Sequence, residues 1–263
     1  MKKIVHLSDL HVGFKGCHKN LQIVIQAMID YLKPNNDYVV VVTGDLVENA
    51  KVETFQIVDE ELQKLRDMGF DVLVVPGNHD YGKWGIIGRR KWVKIFKQVF
   101  FKNPNINYPI KTIIDDVAFI GLDSMEAELN WYDRLGSDGE IGRKQIYKLN
   151  EFLTQDNDVL NCSKKVVYMH HHAYNPFRHL VLKDANDLKI VIEGKVDALL
   201  FGHNHHGRNF NGFWRIPRCL EGGSSTAKED VPTSIRVIDL EKDPKTDYMM
   251  DILTFSKVAN KVY

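Results

Sequence analysis

Six short apolar runs, residues 4–7, 38–42, 72–75, 117–122, 166–169 and 198–201, constrain this chain more than any other feature, because all but the fourth end in a cluster rich in Asp, Asn or His. The first three are near-continuous and β-branched, the pattern of strands covered on both faces. Between them, residues 21–32 and 55–68 carry apolar side chains at helical spacing, with Phe55, Val58, Leu62 and Leu65 on one face. Strand, helix, strand, helix, strand demands parallel crossovers. Beyond residue 201 the runs shorten and turn residues multiply; residues 213–216, 234–240 and 248–255 read as an antiparallel meander, which predicts a mixed sheet. No linker, low-complexity tract or internal repeat interrupts the 263 residues, 44% of them hydrophobic, and a single α/β domain over 1–263 is the expectation.

Lysine plus arginine equals aspartate plus glutamate at 35 each, so the chain lacks the basic excess of a duplex-DNA binder, and any attraction for phosphate must be local. Cys17, Cys162 and Cys219 are odd in number and unrelated in spacing, which argues against a disulfide framework and a thiolate zinc site and for a reducing, cytoplasmic setting. The opening Met1-Lys2-Lys3 imitates a signal peptide, but Ser8, Asp9 and His11 cut its apolar run short. Nowhere does an uninterrupted apolar run reach the roughly 20 residues of a membrane span. A soluble protein without a membrane partner is expected.

The polar clusters lie where open α/β sheets build their sites, outside the carboxyl ends of strands. The first run leads into Ser8-Asp9-Leu10-His11, the second into Gly44-Asp45 and the third into Gly77-Asn78-His79-Asp80. The fifth leads into His170-His171-His172 and the sixth into Gly202-His203-Asn204-His205. Oxygen and imidazole donors without thiolate suit Mn, Fe, Zn or Co, and a carboxylate can bridge two cations. Two metals about 3.5 to 4 Å apart can hold an attacking hydroxide and clamp the phosphoryl oxygens of an in-line displacement. Gly44, Gly77 and Gly202 are read as sharp turns off each strand.

This ordered set resembles the calcineurin-like metallophosphoesterases, whose pattern is D-x-H, G-D, G-N-H-D/E, a lone H and G-H-x-H. The five blocks here match it in order from Asp9 to His205. The resemblance implies a four-layer sandwich, two packed mixed sheets flanked by helices. It implies Asp9, His11 and His205 on one divalent metal, Asn78, His170 and His203 on a second, and Asp45 bridging. His79 resembles the family's non-ligand histidine, which stabilises the transition state or protonates the leaving oxygen, with Asp80 holding its tautomer. The family often has His-His-Pro-Pro where this chain has His170-His171-His172-Ala173; His170, the first polar residue after the strand, is favoured, and His171 is the alternative.

What the resemblance implies is hydrolysis of a phosphate ester, monoester or diester, with a small nucleotide-like substrate favoured. A non-catalytic scaffold of the same fold is disfavoured because every ligand position carries a competent residue. The protein phosphatase branch resembles G-D-x-V-D-R-G and R-G-N-H-E, and both arginines are missing from Gly44-Asp45-Leu46-Val47-Glu48-Asn49-Ala50 and Pro76-Gly77. The DNA-repair nuclease branch carries capping and dimerising segments for which this chain leaves little room. The small bacterial-type phosphodiesterases remain, with a single-strand nuclease as the alternative because Trp84, Trp92, Phe96 and Phe100 alternate with basic residues and could stack bases. That segment reads as a helix burying Trp92, Ile95, Phe96 and Val99 and solvating its lysines, or as a basic cap gathering anionic substrate through Arg89 and Arg90. Tyr174, Asn175 and Arg178, just past the histidine run, are candidates for the non-reacting part of the substrate.

Overall fold

Side chains alternate between the two faces of a strand, and here the alternation sorts the interior into three apolar layers. The computed structural model describes residues 1–83, 85, 87–129, 139–174, 181–226 and 235–250. One sheet has the order β12 (Tyr248–Met250), β11 (Ile235–Ile238), β1 (Lys3–Leu7), β2 (Tyr38–Thr43), β3 (Asp71–Val75). The pairs β1–β2 and β2–β3 are parallel, while β1–β11 and β11–β12 are antiparallel. The other sheet runs β10 (Arg218–Glu221), β9 (Ala198–Phe201), β8 (Lys164–Tyr168), β7 (Val117–Gly121), β6 (Ile110–Ile114), and is parallel except for β6–β7. Both sheets are mixed, as expected.

Val39 and Val41 of β2 and Ile4 of β1 pack with Phe119, Val166, Ala198 and Leu200 between the sheets. Val40 and Val42 face the other way, onto α1 (Cys17–Tyr31), α2 (Val52–Asp67) and α3 (Arg90–Phe101). On the second sheet Ala118, Ile120, Val167 and Leu199 face α4 (Arg143–Thr154), α5 (Asn157–Asn161) and α6 (Ala185–Ile192). Helix, sheet, sheet, helix is the resulting order. The face predicted for residues 55–68 is the one buried, since Phe55, Val58, Leu62 and Leu65 are fully enclosed. Burying each such side chain stabilises by about 1.5–3 kcal/mol.

Three local expectations need correction. Residues 213–216 form no strand: Phe213–Arg215 is a 3-10 turn, with Gly212, Trp214 and Arg215 all at positive φ. The strand of that region is β10, which pairs parallel with β9 instead of joining a meander. On α3, Lys97 is 4% exposed and donates to Glu126 Oε2 at 3.1 Å, so this lysine is not solvated. Residues 251–255 of the predicted last strand lie outside the described residues. Among the described residues no helix is long and apolar enough to cross a membrane, and the three cysteines are free and buried.

Candidate metal centre and active site

Asp9 and His11 follow β1, Asp45 follows β2, Asn78 and His79 follow β3, His170 follows β8, and His203 and His205 follow β9. One sheet thus delivers both aspartates, the amide and two imidazoles, and the other delivers three more imidazoles. The chain bends hard to do so. Asp9, His11, Asp45, His203 and His205 have φ of 54°, 44°, 51°, 81° and 62°, five of the nine non-glycine residues with positive φ among those described. Such conformations cost of order 1–3 kcal/mol each and persist only where the surroundings impose them. Gly44 turns at φ 84°, whereas Gly77 and Gly202 are needed for room and not for a turn. A Cβ there would collide with the Asp45 carboxylate and the Ser8 hydroxyl, respectively.

His170 shows what the arrangement is built to hold. Its Nδ1 donates to the Thr43 carbonyl at 2.8 Å, so in the neutral ring Nε2 carries a lone pair. That lone pair faces Asn78 Oδ1 at 3.0 Å, His203 Nδ1 at 3.2 Å and Asp45 Oδ2 at 3.4 Å. Asn78 Nδ2 donates to the Gly85 carbonyl at 3.1 Å, which turns the amide oxygen inward. Converging acceptors are reconciled by a cation, either a proton or a metal. Without metal the proton takes the place: burial alone lowers the His170 pKa, but Asp45, seconded by Asp9, outweighs it and pushes it to about 9. Burial likewise opposes ionisation of Asp45, yet His170 and His79 hold its carboxyl well below the usual range. Burial and the neighbouring His170 push His203 down to about 3.

The second group has the same logic. His11 Nε2 and His205 Nε2 face each other at 3.1 Å, and Asp9 Oδ1 lies 3.2 Å from the latter and 3.9 Å from the former. His11 Nδ1 is 3.0 Å from Glu48 Oε2, the carboxylate partner that metal-bound imidazoles usually have. Asp45 Oδ2 is 3.7 Å from His11 Nε2 as well as near His170, so one carboxylate stands between the two groups. The donors therefore fit two cations. Asp9 is oriented by Ser8 Oγ at 2.5 Å and by the His203 backbone N–H at 3.1 and 3.2 Å. Behind Ser8, His6 Nε2 donates to Thr43 Oγ1, which donates to Ser8 Oγ, each at 2.8 Å. Burial, then Arg236, pushes His6 down to about 3, so it is a neutral interior imidazole.

His79 and Asp80 do not form the expected pair. His79 Nδ1 donates to the Glu48 carbonyl at 2.7 Å, and its backbone N–H donates to Asp45 Oδ1 at 2.9 Å. Asp80 instead accepts the Val47 and Gly77 N–H groups at 3.0 and 2.8 Å, tying the loops after β2 and β3 together, and burial followed by Asp45 pushes its pKa to about 8. The residue that holds the His79 tautomer is Glu48, through its main chain.

His170 is the member of the histidine run whose ring nitrogen reaches Asp45 and Asn78. His171, the alternative, is 2.8 Å from Ser124 Oγ through Nδ1, although it also clusters with His170 and His203. Asp123 and Ser124 show that the fourth run too ends in a polar cluster, contrary to expectation. His172 Nε2 lies 3.4 Å from Glu221 Oε1, whose two oxygens accept the His206 and Arg208 N–H groups and so shape the loop after β9. Of the substrate candidates, Arg89 and Arg90 are exposed at the start of α3, and Arg89 lines a cavity with Asn49, Ala50 and Lys51 of the loop after β2. Tyr174 is exposed, its ring against Phe213 at 4.5 Å. Asn175 and Arg178 lie outside the described residues.

The family model described as calcineurin-like phosphoesterase matches residues 2–207. Among solved structures, a dimetal phosphatase from Danio rerio is similar at 12% identity over 90% of this chain and 92% of that one, with a TM-score of 0.63. The calcineurin-like phosphoesterase YfkN from Bacillus subtilis gives 14%, 96%, 91% and 0.57, and phosphopantetheinyl hydrolase from Mycobacterium tuberculosis 15%, 92%, 98% and 0.56. These likenesses are of fold. No curated protein matches the sequence significantly.

Proposed function

The chain belongs to the calcineurin-like phosphoesterases and is a phosphoric-ester hydrolase, and from that premise we propose that it cleaves a small, nucleotide-like phosphate ester with two divalent transition-metal ions. Asp9, His11 and His205 would hold one ion, Asn78, His170 and His203 the other, and Asp45 both. The observation that carries this reading is Asp45 Oδ2 standing between His11 Nε2 at 3.7 Å and His170 Nε2 at 3.4 Å, two imidazoles from opposite sheets. Bound there, such ions supply Lewis acidity to the phosphoryl oxygens and activate water.

The chain's own groups do the rest. Glu48 and Thr43 fix the His11 and His170 tautomers, so each presents Nε2. His79, with Nδ1–H donated to the Glu48 carbonyl, keeps Nε2 for the proton that the leaving oxygen needs. Ser8 and the His203 N–H keep Asp9 aimed, and against the burial that opposes its ionisation His205 holds its carboxyl below the usual range.

The test is hydrolysis of bis-p-nitrophenyl phosphate and p-nitrophenyl phosphate by chelated protein reloaded with Mn, Fe, Zn or Co, with metal content measured alongside. Turnover that requires close to two bound ions is expected. Two bound ions without hydrolysis of either ester, or full turnover without metal, would overturn the proposal.

A further inference from the structure

Against the end of the loop that follows β2 lies a hollow of about 430 Å³ with the opposite chemistry to the ligand set. Lys51, Lys83, Arg89 and Lys91 line it, together with Asn49 and Trp92, and among the described residues no acidic one does. Elsewhere on the neighbouring helices a cation meets an acid: Lys64 is 2.6 Å from Glu61, Lys102 is 2.6 Å from Asp59 and Lys97 is 3.1 Å from Glu126. Among the described residues, the side chains of Lys51 and Arg89 have no such partner. The Lys91 ammonium sits 4.5 Å over the Trp92 ring.

The charges are also placed against the local rule. Arg89, Arg90 and Lys91 crowd the amino end of α3, already the positive pole of the helix dipole, and that end has no acidic residue in its first turn and no side-chain cap. Of these, Arg89 meets no acidic side chain among the described residues, and a charge that breaks a local preference points to function. The hollow also backs directly onto the reactive loop. Asn49 follows Glu48, which holds His79 and His11, and the Ala50 N–H donates at 2.9 Å to the carbonyl of Gly82, three residues past His79.

We propose that this hollow recognises a second, non-reacting phosphate of the substrate, so that the preferred substrates are small phosphoesters carrying two phosphate groups. Lys51 and Arg89 are its principal contacts. The assignment rests on the phosphoesterase reading above, but it concerns selectivity and not bond cleavage. Positive charge concentrated in a concave site beside the reaction centre raises local anion concentration and orients what enters. Arginine additionally offers a paired-donor fork for phosphate.

Two esters that differ in that one group test it: thymidine 5′-(p-nitrophenyl phosphate) and its 3′-phosphorylated counterpart. In the metal-replete wild type, the 3′-phosphate should raise kcat/KM about tenfold or more, mainly through KM. Lys51→Ala and Arg89→Ala should each cut that ratio several-fold, and the double variant should bring it near one. Because the readout is a ratio within one protein, a folding defect that slows both esters equally leaves it intact. A second measurement avoids catalysis: inorganic pyrophosphate should bind the chelator-treated wild type more tightly than the double variant. A wild-type ratio near one, or a ratio that survives both substitutions, overturns the proposal and leaves hydrolysis standing. If single-stranded oligonucleotides outcompete the bisphosphorylated ester and show a steep salt dependence, the small-substrate assignment is overturned in favour of a strand. Failure to cleave either ester and bis-p-nitrophenyl phosphate would instead sink the phosphoesterase reading itself.

Discussion

At the strand ends, Asp9, Asp45 and His170 are buried, held in place by named donors, and arranged so that moving one disturbs the rest. At the start of α3, Arg89 and Lys91 stand in solvent around a hollow in which, among the described residues, no carboxylate opposes them. The first region exploits low dielectric, where a misplaced charge is expensive; the second acts through exposed charges, screened over about 10 Å at 0.1 M salt. The contrast separates chemistry from recruitment. Substitutions at the rim should act in orders of magnitude and resist salt, and those on the helix should act in small factors and fade with it.

The strongest test of the contrast is Asp45→Asn. It removes the anion shared by both groups, so metal content should fall and kcat should drop about a thousandfold, several kcal/mol of barrier, while the fold persists by circular dichroism. Two retained ions with ordinary turnover would erase the distinction. Next comes His79→Ala, which should slow esters with alkoxide leaving groups about a hundredfold and nitrophenyl esters far less, at unchanged metal content. Equal loss on both would reassign His79 to charge stabilisation, and a lost ion would make it a ligand.

The third is a pH effect on metal-free protein. His170, raised to about 9 from an unfolded value near 6.5, contributes stability that is complete below about pH 6.5 and disappears as pH rises through 9. His6 and His203, pushed down to about 3, contribute in the other direction, losing stability as pH falls through about 6.5. Thermal unfolding of the chelated protein should therefore peak near pH 6.5, and loading with metal at pH 7 should release about one proton, vanishing above pH 9. Proton release that does not change between pH 7 and 10 would remove His170 from the centre. The smallest effect is expected from Arg90→Ala with Lys94→Ala. These residues line a separate hollow that includes Glu126, so KM should move less than about twofold. A larger, salt-sensitive shift would show that recruitment is spread along the whole helix.

Much of this was legible because the polar clusters directly follow apolar runs of unmistakable strand character. What stayed hidden has physical reasons. β10 is half charged, and nothing in Arg218-Cys219-Leu220-Glu221 announces burial; Asp247 and the main chain of the loop after β9 satisfy those charges from afar. Residues 213–216 are apolar enough for a strand, but Gly212 begins a left-handed turn. Adjacency assigns Asp80 to His79, yet the 3-10 turn His79–Tyr81 sends the two side chains to different partners. Ser124 and the Glu48 carbonyl each act on one histidine distant in sequence, to which no spacing rule applies.

Asp45 and Asn78 hang from one sheet and His170 and His203 from the other, across a layer of Ile4, Val41, Phe119 and Leu200. Apolar contacts are non-directional, and such a layer tolerates a small slip. A donor set does not. The ligand rim is thus a gauge of how the two slabs are registered, with tighter tolerances than the packing that joins them. A conservative change deep in that layer, such as Val41→Ile, should be felt as altered ion affinity before it is felt as lost stability, and drift between the sheets of such a protein would be policed from their carboxyl ends.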